Sequence, residues 1–97
     1  FVYEFGDLYV TNLGPERSLR AYPMRTWMEE GAHPSASSDA PVSTPDPFVN
    51  LFTMVTRKTN KGTVLGAEER LTADEALHAY TWCGAYSTFA EGARGAL

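Results

Sequence analysis

The stretch SSDAPVSTPDPF, residues 37 to 48, constrains the fold more than any other part of the sequence. It places three prolines, Pro41, Pro45 and Pro47, within seven residues. Because each proline fixes its own φ angle, the stretch predicts a stiff loop. A single carboxylate, Asp39, stands at its start. The loop either precedes an ordinary helix start or holds Asp39 at a defined position.

Local signals predict three helices around this loop. Pro23 suits the first position of a helix over 23–30, with Gly31 just past its end. Asp46 and Pro47 form an N-cap and N1 pair that starts a helix over 47–57. Thr72 and Glu75 match a capping box that opens a helix over 72–90. Apolar residues recur at helical spacing in all three segments: Met24, Trp27 and Met28; Phe48, Leu51, Phe52 and Val55; Ala76, Ala79, Tyr80, Cys83, Tyr86 and Ala90.

Strand signals are weaker. Leu8 to Thr11 is a short β-like run that lies between two glycines, Gly6 and Gly14. Residues 32–37 are the other candidate strand and would lead into Asp39, although Pro34 interrupts them. The predicted fold class is therefore mainly α with one or two short strands.

Length and charge narrow the function classes. A chain of 97 residues makes one domain at most. The net charge of −4 argues against nucleic acid as a partner. No run approaches the roughly 18 apolar residues of a membrane span. The lone Cys83 cannot form an internal disulfide and is expected to be a buried, inert thiol. With no secretory signal visible, we expect a cytoplasmic protein; both ends resemble cuts through a longer chain.

Few residues are candidates for chemistry. Asp39 is either a turn or cap residue or, alternatively, a metal ligand or proton acceptor. His33 and His78 could complete a zinc site with Asp39 only in principle, since their spacing fits no compact motif. The other candidates are four arginines, which either lie on the surface, form ion pairs or bind an anion: Arg17, Arg20, Arg25 and Arg57. No GxSxG, P-loop or CxxC motif occurs.

The order of three segments is more specific than any one motif. FGDLYVTNLGPERSLRAYPMRTWMEEG, SSDAPVSTPDPFVNLFTMVTR and ERLTADEALHAYTWCGAYSTFAEGARGAL together resemble the C-terminal part of a metal-dependent amidohydrolase. The closest branch of that superfamily contains the N-substituted formamide deformylases. The resemblance covers nearly all of residues 1–97, which we treat as a single segment.

The resemblance implies the last βα units of a (β/α)8 TIM-barrel hydrolase, with active-site groups at the carboxyl ends of its strands. Asp39 matches the aspartate that ends the eighth strand, touches the catalytic metal and accepts a proton from water. Arg17, Arg20 and Arg57 are expected substrate-binding residues. The expected cofactor is a divalent metal, zinc by preference, whose other ligands would lie upstream of Phe1. The substrate would be a small amide-type molecule.

Two further expectations follow. One carboxylate cannot hold a catalytic metal tightly, since zinc sites usually take three protein ligands, so the isolated chain should be inactive and hold no metal tightly. Open barrel edges would favour a homo-oligomer. The alternative is a non-catalytic, self-associating helical module from a truncated hydrolase, using exposed Phe48, Phe52, Trp27 and Trp82.

Overall fold

The computed structural model describes residues 1–96 and shows helices without a named strand in that range. Within residues 1–96, six α-helices follow one another: α1 (Val2–Leu13), α2 (Pro15–Ser18), α3 (Met24–Glu29), α4 (Pro47–Thr56), α5 (Ala73–Tyr80) and α6 (Trp82–Tyr86). A 3₁₀ turn over Ala67–Glu69 precedes α5. The expectation of a mainly α chain is met, but the expected strands are absent from the described residues.

The first predicted strand is a helix. Residues 8–11 lie inside α1, whose Gly6 is buried against the loop that follows α4. A Cβ atom at Gly6 would lie 2.6 Å from Thr59 Cγ2. Gly6, which from sequence was expected to flank a strand, is therefore the residue at which α1 approaches that loop. The backbone N–H of Asn60 also donates to the Tyr3 carbonyl at 2.8 Å and ties the loop to α1.

The second predicted strand, over 32–37, forms no regular secondary structure and has no strand partner among residues 1–96. We call this stretch the 32–37 segment. It is held instead by α5 and α6. The Ala36 N–H donates to the Ala79 carbonyl at 3.0 Å, and the His33 ring packs edge-on against Trp82 and Tyr86. A β-strand needs a neighbouring strand to satisfy its backbone groups, and within 1–96 the only bridge pairs Lys58 with Val64.

The long helix predicted over 72–90 is two helices. Its start has both hydrogen bonds of the capping box, with Thr72 Oγ1 accepting from the Glu75 N–H and Glu75 Oε2 accepting from the Thr72 N–H. At Thr81 the backbone turns to φ −120° and ψ −76°, which separates α5 from α6. The chain after α6 folds back, because a Cβ at Gly95 would lie 3.2 Å from the Thr81 carbonyl oxygen.

A small core joins α3, α5 and the residue before the capping box. It consists of Met24, Leu71, Ala76 and Ala79, with Met28, Ala36, Leu51, Met54 and Val55 packed against it. Burial accounts for the apolar stripe of α5. Cys83 is buried as well, and that burial raises the pKa of its thiol, in keeping with an inert side chain.

An ion pair locks α3 to the start of α5. Arg25 donates to both carboxylate oxygens of Glu75, with Nη1 to Oε1 at 2.7 Å and Nη2 to Oε2 at 2.5 Å. The same guanidinium donates to the Arg70 carbonyl. The hydrogen bond from Arg25 and the one from the Thr72 backbone lower the pKa of Glu75 to about 2. Arg25 is thus a structural residue that fixes the capping box in place.

Candidate functional site

Asp39 lies in a turn that follows the 32–37 segment. Its φ is 56°, a left-handed conformation that aspartate tolerates better than most residues, and its carbonyl accepts from the Val42 N–H at 2.9 Å. The residue is exposed, and its carboxylate accepts no hydrogen bond from residues 1–96. Asp39 does not cap a helix; that role belongs to Asp46, which accepts from the Phe48 N–H at 2.9 Å. The Asp39 carboxylate is therefore available to solvent or to a ligand.

The two histidines do not join Asp39. His78 stacks on Trp82 with ring centroids 4.9 Å apart, and His33 meets the edge of the same ring system at 5.3 Å. Among residues 1–96, no three side chains drawn from His, Cys, Asp and Glu come together as ligands for an ion. The residues present therefore do not fit a complete metal site, and Asp39 would contribute one ligand at most.

Arg57 is placed quite differently from the other arginines. It ends α4 in a left-handed conformation, with φ 58°, and only 3% of the residue is exposed. Its guanidinium donates to three backbone carbonyls: Nε to Leu65 at 2.7 Å, Nη1 to Tyr22 at 3.0 Å and Nη2 to Ala21 at 2.6 Å. Arg57 therefore ties the end of α4 to the chain between α2 and α3.

Arg17 and Arg20 are exposed, the first in α2 and the second just after it. The structure therefore does not bring the four predicted site residues into one cluster around the cleft described next. Their roles in catalysis or substrate binding stay predictions.

A cleft of about 210 Å³ opens between α1, α3, α4 and the 32–37 segment. Its walls are mostly apolar and aromatic: Phe1, Val2, Tyr22, Met24, Trp27, Ala36 and Met54, with Ser35, Ser37, Asn50, Thr53 and Arg57 supplying polar groups. Arg57 lines it, whereas Asp39, Arg17 and Arg20 do not. Trp27 and Asn50 were not singled out as site residues from sequence, because only the packing of separate helices brings them together.

Comparison with known proteins gives the chain a family. A family model described as the amidohydrolase family matches residues 1–97. The chain belongs to the amidohydrolase family. An N-substituted formamide deformylase from Arthrobacter pascens is 38% identical over 66 residues, which cover 68% of this chain and 12% of that relative. This amidohydrolase chain thus spans about an eighth of the length of the curated relative. No solved structure matches it significantly.

Within this family the resemblance noted from sequence is confirmed, and it covers the whole chain. Across residues 1–96 no helix is long and apolar enough to cross a bilayer.

Proposed function

We propose that this chain is part of an enzyme that hydrolyses carbon–nitrogen bonds of the amide type, with Asp39 as proton acceptor. Membership of the amidohydrolase family and the deformylase relative support the reaction class. One observation supports the role of Asp39: its carboxylate is exposed and engaged by no other described residue. A carboxylate of this kind can accept a proton from an attacking water, whereas one held in an ion pair could not do so freely.

The proposal includes a divalent metal, zinc by expectation, that would polarise the substrate carbonyl and activate water. Because residues 1–96 do not fit a complete metal site, the other ligands would have to come from outside them. We therefore expect the 97-residue chain by itself to bind zinc weakly and to show no amide hydrolysis. Hydrolysis by the purified chain that a chelator abolishes would contradict this expectation.

The role of Asp39 is tested in a chimera. The matching segment of the Arthrobacter pascens deformylase is replaced by this chain, and hydrolysis of an N-substituted formamide is measured. Because general acid–base catalysis contributes roughly 10²–10⁴-fold, Asp39→Asn is expected to lower kcat by about 100-fold or more.

Asp46→Asn is the matched control for this experiment, since it makes the same chemical change in the same loop. Asparagine caps a helix about as well as aspartate, so α4 and the activity should be retained. Equal activity of the Asp39→Asn and unsubstituted chimeras would remove Asp39 from the mechanism.

A second candidate, a self-associating helical module, is favoured by one specific surface. Phe48 is 74% exposed and Phe52, one turn later on α4, is 47% exposed. Adjacent exposed aromatic rings of this kind commonly mark a protein contact. Sedimentation of the chain and of Phe48→Ser tests this candidate. A concentration-dependent dimer that the substitution abolishes supports it, and a monomer at all concentrations rules it out.

A further inference from the structure

The buried guanidinium of Arg57 has no acidic partner in contact with it. Among residues 1–96 the ion pair within 4.0 Å is that of Arg25 with Glu75, and Glu68 and Glu69 act on Arg57 only through longer-range attraction. Desolvation by burial lowers the pKa of Arg57 from its usual value. Burial of a cation is costly unless it is paired and hydrogen-bonded. Three carbonyls supply hydrogen bonds here, but none supplies a negative charge.

Arg57 also retains donors. A guanidinium carries five N–H groups, and three of them are used by the carbonyls of Leu65, Tyr22 and Ala21. One N–H remains on each terminal nitrogen. An N–H of a charged guanidinium donates a strong hydrogen bond to a carboxylate oxygen.

The cleft that Arg57 lines is suited to the rest of such a ligand. The lining contains no acidic residue, so nothing within it repels an anion. Tyr22 and Trp27 supply aromatic surface, and Met24 and Met54 supply adaptable apolar surface. The volume of about 210 Å³ admits a ring-sized molecule but not a folded partner.

We propose that this cleft is a binding site for a small carboxylate with a flat apolar body, in which Arg57 binds the carboxylate and Trp27 and Met54 contact the body. The site is separate from the proposed hydrolase function, because Asp39 does not line the cleft and binding requires no hydrolysis. Failure of one proposal therefore leaves the other standing.

The test compares two probes of the same shape and different charge. Benzoate and benzamide are titrated into the 97-residue chain by calorimetry at low salt. Since hydrogen bonds to charged groups are the stronger ones, benzoate is expected to bind about tenfold more tightly or better. Equal affinities, or no binding of benzoate, overturn the proposal.

Two pairs of variants locate the probe. Ser37 is exposed and lines the cleft, so Ser37→Asp should keep the fold while placing a competing carboxylate beside the site. Benzoate affinity is expected to fall about tenfold in Ser37→Asp and to stay unchanged in Ser37→Asn, given the repulsion between like charges at close range. Unchanged affinity in Ser37→Asp overturns the assignment to this cleft.

Arg57→Gln should abolish the preference for benzoate, and circular dichroism checks that this variant folds. Arg20→Gln removes an exposed arginine that does not line the cleft and should leave the preference intact. Loss of the preference in Arg20→Gln as well would show that net charge alone attracts the probe and would overturn the proposal. The Ser37 pair decides the matter should Arg57→Gln fail to fold.

Discussion

Two helical glycines, Gly6 in α1 and Gly84 in α6, should respond oppositely to the same substitution. Alanine is about 0.8–1.0 kcal/mol more favourable than glycine within a helix, so both sites gain from helix propensity. A Cβ at Gly84 meets nothing within 4 Å, and we expect Gly84→Ala to stabilise the fold by up to about 1 kcal/mol. For a domain of this size that corresponds to a rise in Tm of about 4–8 °C.

A Cβ at Gly6 would lie 2.6 Å from Thr59 Cγ2. Thr59 cannot easily rotate away, because it is buried and its Oγ1 accepts from the backbone N–H groups of Lys61 and Thr63. Overpacking of this kind costs about 1–3 kcal/mol. After the propensity gain, Gly6→Ala should be destabilising by up to about 2 kcal/mol. The two variants should thus differ by about 1–3 kcal/mol in the free energy of unfolding, since the clash is what distinguishes them.

Urea unfolding followed by far-UV circular dichroism measures both variants. Thr59→Ser provides the rescue, since it removes Cγ2 and keeps the hydroxyl that accepts the two hydrogen bonds. In the Gly6→Ala background it should recover most of the lost stability, and in the parent chain it should not stabilise. If Gly6→Ala raised the stability as much as Gly84→Ala does, the close approach of α1 to the loop after α4 would be refuted.

Three further predictions concern single sites. The folded-state pKa of Glu75, about 2, lies below its ordinary value, so the stability from its ion pair with Arg25 is present above pH 4.5 and is lost as pH falls towards 2. Urea midpoints measured from pH 2 to 7 should show this loss of stability, and in Glu75→Gln this pH dependence should be absent. Gly66→Ala should destabilise by about 1–3 kcal/mol, because φ is +67° and a Cβ would collide with the Leu19 carbonyl oxygen, as thermal melts can check. Asp39→Asn should change the unfolding free energy by less than about 0.5 kcal/mol in the isolated chain, since its exposed side chain bonds to no described residue; a larger loss in urea unfolding would assign it a structural role.

The parts of the fold that follow from neighbouring residues were predictable. Asp46 with Pro47 starts α4, and Thr72 with Glu75 starts α5, because each pair satisfies backbone groups within one turn. The break at Thr81 was missed since the apolar spacing continues across it. The structure bends there as the following chain packs back on Thr81 and Trp82.

Helix α1 was missed for a related reason. Its tyrosines, valines and threonine favour strands, and Gly6 disfavours a helix interior. The helix is compatible with Gly6 because a distant residue, Thr59, packs where a side chain would otherwise be. Tertiary contacts of this kind override local propensity and leave no mark in the sequence near them. The 32–37 segment shows the converse, since strand formation there would require a partner strand that residues 1–96 do not provide.

The arginines show how burial changes the chemistry that residue type alone suggests. Arg17 and Arg20 were the natural pair for an anion, because a helical turn could aim both to one side, yet both are exposed, where water screens their charge. Arg57 was expected to bind substrate as well, but nothing in the sequence near it indicated that it would be buried. Its left-handed backbone conformation and three carbonyl partners hold the guanidinium at the wall of an apolar cleft. An ionic hydrogen bond is stronger there than on the surface. The one arginine that combines fixed geometry with low exposure is thus the one best able to select a charged ligand over its neutral analogue.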